Sequence, residues 1–78
     1  MSVRQDQHGT IVLEGHCPVE DTEALFQMLQ ATIAPTVDWT QCVELHTALF
    51  QLLLVVRPRL TGPCGDPFVA TFVFPNLL

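Results

Sequence analysis

No lysine occurs anywhere in this chain, and its only cations are Arg4, Arg57 and Arg59, set against eight acidic residues for a formal charge of −5. Clustered cations hold phosphate backbones and anionic lipid surfaces, so neither nucleic acid nor an acidic membrane is expected as a ligand. Any C-x-x-C pair is also missing. Cys17, Cys42 and Cys64 are odd in number and widely spaced, a pattern that suits buried free thiols in a reducing cytosol rather than a zinc or redox motif. His16, next to Cys17, and His46 are conceivable ligands, but adjacent residues at a strand end point in opposite directions. No metal and no cofactor is expected. The opening MSVRQDQHG has no apolar core of the signal-peptide kind. The longest apolar run, Ala48 to Val56, is broken by Gln51 and reaches about half the roughly 20 residues of a bilayer span. The expectation is a soluble cytoplasmic protein with no transmembrane segment. The chain also lacks a G-x-S-x-G elbow, a phosphate-cradling glycine loop and carboxylates paired at helical spacing, so it is not expected to be an enzyme.

What is present is apolar. Hydrophobic residues make up 49% of the 78 residues and charged ones 14%, which excludes a disordered chain. This length suits one domain spanning residues 1–78, with a thin margin between buried area and lost conformational entropy. Part of the apolar surplus is expected to meet a partner, and a homodimer would supply one.

Local patterning predicts the elements. Residues 1 to 9 read as a weak strand and a turn at His8-Gly9, paired as a hairpin with the β-branched strand Thr10 to Gly15. Leu25, Met28, Leu29 and either Thr32 or Ile33 recur at helical spacing behind Glu20, Asp21 and Glu23, which predicts a helix over 19–33 that ends at Pro35. Thr36 to Cys42 reads as a strand. Thr47 to Arg57 reads as a helix apolar nearly all round, and hence buried on more than one side. RPRLTGPCGDP reads as a loop, and Phe68 to Phe74 as a last strand apolar on both faces. The fold class is therefore α/β: a small mixed sheet of about four strands with two helices packed on one face, in the order β-β-α-β-α-β. The other sheet face has no cover of its own, so Val69, Val73, Leu77 and Leu78 are candidate contacts for a second copy or another protein.

Thr47 stands immediately before the leucine-rich run and admits several uses. As a first-turn residue it can cap the helix, worth on the order of 1 kcal/mol. As a nucleophile it needs a base within reach, and its neighbour His46 normally projects away from it. As a surface hydroxyl it can accept a phosphate.

TIVLEG, a helix, and then VDWTQCVELHTALFQLLL resemble the STAS domain, the fold of bacterial anti-sigma-factor antagonists and sulfate-transporter tails. That family has a strand of the form V-D-L-S-x-[VC], a short connection, and I-D-[ST]-[SA]-G-L opening a leucine-rich helix. Val37, Asp38, Trp39, Thr40 and Cys42 match the strand. Leu45, Thr47, Ala48 and Leu52 to Leu54 match the helix start. His46 stands where the family has aspartate, Leu49 where it has glycine, and the family's last helix is lacking. The resemblance implies a non-enzymatic bacterial regulator in which Thr47 is the candidate phosphoacceptor, an added charge of about −1.5 to −2 breaking the complex. It also implies a partner-binding surface of His46, Thr47, Ala48, Phe50 and Gln51. The partner would be a kinase or anti-sigma-like protein, or a transporter or chemotaxis component. The alternative is an accessory subunit or homodimer docked permanently on a larger assembly, with Thr47 only a helix cap.

Overall fold

The computed structural model describes residues 2–73. Strand β1 (Val3–Gln5) turns back into β2 (Ile11–Cys17), and the two pair antiparallel with Val3 opposite Leu13. The turn is built by Asp6, whose Oδ1 accepts from the N–H groups of His8 and Thr10, while Gly9 takes a φ of 85°. A 3-10 turn (Val19–Asp21) leads into helix α1 (Thr22–Ala31), then β3 (Thr36–Leu45), helix α2 (Thr47–Val56) and β4 (Arg59–Thr61). The sheet order is β1-β2-β3-β4, with β2, β3 and β4 mutually parallel. This is a four-stranded mixed α/β sheet.

Both helices follow crossovers that step across the sheet in the same direction, so crossovers of one hand place them on one face. There Leu25 and Leu29 of α1 and Leu49 and Leu53 of α2 join Val3, Ile11, Leu13, Val37 and Trp39 in one core. Trp39 is fully buried, and its Nε1–H donates to the carbonyl of Gly62 at 2.9 Å. The opposite face carries Arg4, Val12 and Asp38, which are in register with one another, and Arg4 bonds Glu14 at 2.7 Å.

Strand β3 keeps its apolar residues inward by means of two bulges. The pairing passes from Val12–Asp38 to Glu14–Gln41 and then to His16–Glu44, so β3 carries one extra residue at each step. Val37, Trp39, Cys42 and Leu45 are buried in consequence, at spacings that plain alternation does not allow. Gly15, with φ 70°, sits at the second irregularity, so β2 continues past it to Cys17 rather than ending there.

Several expectations are corrected. Helix α1 ends at Ala31, where the Thr32 hydroxyl donates back to Met28 O and Ala34 adopts a φ of 50°. Ile33 is consequently 96% exposed rather than on the buried face. Helix α2 is not buried all round, since Val55 is 81% exposed. The fourth strand is Arg59–Thr61, from the stretch read as loop, and the chain from Val69 to Val73 is a π-helical segment instead of a strand. The reason is Asp66-Pro67: the carboxylate accepts from the N–H of Phe68 and the Asp66 carbonyl from that of Ala70, as at a helix start. Val69 is 4% exposed and packs in the monomer core rather than on the uncovered sheet face, which carries Arg4, Glu14 and Asp38. Leu77 and Leu78 lie outside the described residues, as does the side chain of Val73.

Candidate functional site

The parallel strands β2 and β3 end beside each other, and ligands of open α/β sheets bind outside such carboxyl ends. A cleft of about 460 Å3 opens there. His16 and Cys17 line it from the end of β2, Val19 and Glu20 from the 3-10 turn, and Glu44, Leu45, His46 and Thr47 from the junction of β3 with α2. The His46 N–H donates to Cys17 O at 3.0 Å and so ties the start of α2 to the end of β2.

His46 is the N-cap of α2. Its backbone is extended, its carbonyl accepts from the N–H groups of Leu49 and Phe50, and its Nδ1 accepts from the N–H of Ala48 at 3.0 Å. The acceptor of this capping bond is a lone pair on Nδ1, which leaves Nε2 as the ring's donor position. Thr47 is thus the first helical residue and not the cap. It is exposed, and its hydroxyl has no hydrogen-bond partner among the described residues.

Thr47 also borders a second recess, of about 240 Å3, with Leu45, Phe50, Asp66, Phe68 and Val69. The exposed side of α2 continues from Thr47 through Gln51 to Leu54 and Val55, one turn at a time. Of the five residues expected to form a partner surface, His46, Thr47 and Gln51 are exposed and Ala48 and Phe50 are half-buried.

The charge beside Thr47 is negative. Glu20 and Glu44 line the cleft, and no arginine lines either recess. His16 Nδ1 lies 3.4 Å from Glu44 Oε1, but both side chains are largely exposed, which makes the pair a weak one. Arg57 and Arg59 line a different cleft, with Pro35 and Val56. Arg57 ends α2 in a left-handed conformation, donating its N–H to Leu53 O ahead of Pro58.

His16 and Cys17 point to opposite sides of β2, one exposed and the other buried. Among the described residues no group of three or more His, Cys, Asp or Glu could hold a metal ion. No described helix is long and apolar enough to cross a membrane.

Sequence reasoning missed two parts of this region. Asp66 is 8% exposed and joins β3 to the last helical segment, its Oδ2 accepting from the Leu45 N–H at 2.9 Å and its Oδ1 from Phe68. The Asp-Pro pair was its signal, hidden in a stretch rich in proline and glycine. The other is a group of three buried thiols in the core, of which Cys17 borders the cleft. Cys17 Sγ lies 3.5 Å from Cys42 Sγ, and Cys64 is buried in the same core. The contact with Cys42 lowers the Cys17 thiol to about 7 against the opposing effect of burial, and the same contact raises that of Cys42. No sequence spacing announces this group, because bulges and a loop create it.

Comparison with models of known protein families, with curated proteins and with solved structures found no match.

Proposed function

We propose that the chain is a non-enzymatic protein-interaction module whose recognition surface is the rim shared by the two recesses, centred on Thr47 and continuing along Gln51, Leu54 and Val55. The observation that carries this reading is an exposed threonine hydroxyl at the first position of α2, released from capping by His46. An exposed helix face with Leu54 at 36% and Val55 at 81% exposure supplies apolar area for a partner protein to cover. The STAS resemblance adds a mode of control, with Thr47 the phosphoacceptor and an anti-sigma-like kinase, a transporter subunit or a chemotaxis component as partner.

The local electrostatics suit such a switch. A phosphate on Thr47 sits at a helix N-terminus, where the dipole favours negative charge, so the fold tolerates it. Glu20 and Glu44 nearby offer it no cation, so a docked partner meets uncompensated charge. Thr47→Glu is therefore expected to leave the circular dichroism spectrum unchanged and to weaken the partner complex about tenfold or more, equivalent to about 1.4 kcal/mol. Thr47→Ala should bind as the parent does. Acidic variants that hold the partner as tightly as the parent would sink the switch.

A further inference from the structure

Helix α2 holds no charged residue from Thr47 to Val56. Its solvent side, Thr47, Gln51, Leu54 and Val55, recurs at helical spacing opposite the buried Leu49 and Leu53. Charge is found only beyond the two ends of this face, and it differs in sign. At the start of α2 the cleft is walled by Glu20 and Glu44 with no arginine. At its end, beyond Val56, the other cleft is walled by Arg57 and Arg59, and no acidic residue lines it. Ten residues of helix span about 15 Å. That exceeds a Debye length of about 8 Å at physiological salt, so the two ends act as separate charges.

This polarity selects the occupant of the face. A second copy laid antiparallel about a twofold axis near Gln51 brings Arg57 of each chain toward the Glu20 and Glu44 end of the other, so both ends are matched at once and the helix dipoles oppose. A parallel arrangement sets arginine against arginine and glutamate against glutamate. An anionic lipid surface repels a chain of charge −5 that has no lysine. Self-pairing also covers apolar surface in a chain of 78 residues, a size at which the core alone leaves a thin margin.

We propose that the chain forms a homodimer by antiparallel packing of α2 on α2, with acidic and arginine ends paired across the twofold axis. In this register Val55 of each copy covers Thr47 and Ala48 of the other, and Leu54 is covered beside it. The two Gln51 amides meet at the axis, where each can both donate and accept. The dimer goes beyond the reading given above and shares its surface, so a second copy and the partner protein compete for the α2 face. The two readings respond oppositely to charge at Thr47. Thr47→Glu is expected to weaken the partner complex, whereas in the dimer its carboxylate turns toward Arg57 of the other copy.

Analytical ultracentrifugation of the full chain tests this. The parent should be dimeric at roughly 100 μM and dissociate on dilution toward about 1 μM, as a small interface does. Val55→Asp replaces a largely exposed side chain, so near-UV circular dichroism should match the parent while the dissociation constant rises about tenfold or more, a carboxylate being buried without a partner. Arg57→Glu alone and Glu20→Arg/Glu44→Arg alone should each weaken self-association, and an equimolar mixture of the two should restore it, because every paired end is again of opposite sign. Thr47→Glu should leave the dimer at least as tight as the parent's. A parent chain monomeric at roughly 100 μM, or a folded Val55→Asp chain that pairs as tightly as the parent, would overturn the proposal, and these two measurements decide it even if the charge variants misfold. A dimer that Thr47→Glu weakens, or a mixture that pairs no better than its components, would overturn the antiparallel pairing.

Discussion

At the residue scale, two adjacent side chains divide tasks that a single threonine could have held. The imidazole of His46 supplies the acceptor that a first-turn N–H lacks, and the Thr47 hydroxyl is left facing outward. Removing the cap with His46→Ala should lower stability by about 1 kcal/mol in urea unfolding. His46→Asp should match or exceed the parent, because a carboxylate both caps and complements the helix dipole. The sequence pointed to this pair as important and offered Thr47 as one candidate cap, whereas the cap is His46. Histidine is not a usual capping residue, and only its extended backbone, with ψ 143°, turns the ring back toward the Ala48 N–H.

The strand β3 shows what element-scale patterning reveals and what it conceals. Its apolar residues Val37, Trp39, Cys42 and Leu45 follow no single alternation, so a reading by period two stops at Cys42, while the folded strand runs on to Leu45 by absorbing two extra residues. The segment after β4 then runs along its edge. Gly65 N–H donates to Trp39 O, and any side chain at Gly65 would collide with the carbonyls of Thr40 and Cys42. Further on, the Asp66 carboxylate takes the place of a neighbouring strand for Leu45. Asp66→Ala strands that buried N–H and also uncaps the last helical segment, so unfolding in urea should show a loss of roughly 2–3 kcal/mol. Asp66→Asn, which keeps one acceptor, should recover part of it. The Leu45–Asp66 link joins residues 21 positions apart, beyond the reach of any local propensity.

On the scale of the whole molecule, a small core has little margin. Stability of about 0.05–0.15 kcal/mol per residue gives a chain of this length roughly 4–12 kcal/mol in total. Trp39 is the largest fully buried side chain among the described residues, and Trp39→Ala removes about 3–5 kcal/mol by cavity formation while also losing the hydrogen bond to the Gly62 carbonyl. Its near-UV circular dichroism should be lost, or its urea midpoint should fall to a small fraction of the parent's. The sequence by itself determined the α/β class, the hairpin, both helices and the exposure of the chain around Thr47, because helical period, turn chemistry and helix stops act over a few neighbouring residues. Only the tertiary structure decided that Phe68 to Val73 coils back as helix, that the open sheet face is polar, and that three distant thiols join one core. Each of those outcomes depends on hydrogen bonds and register shifts between strands, and such long-range pairings leave no period along the chain.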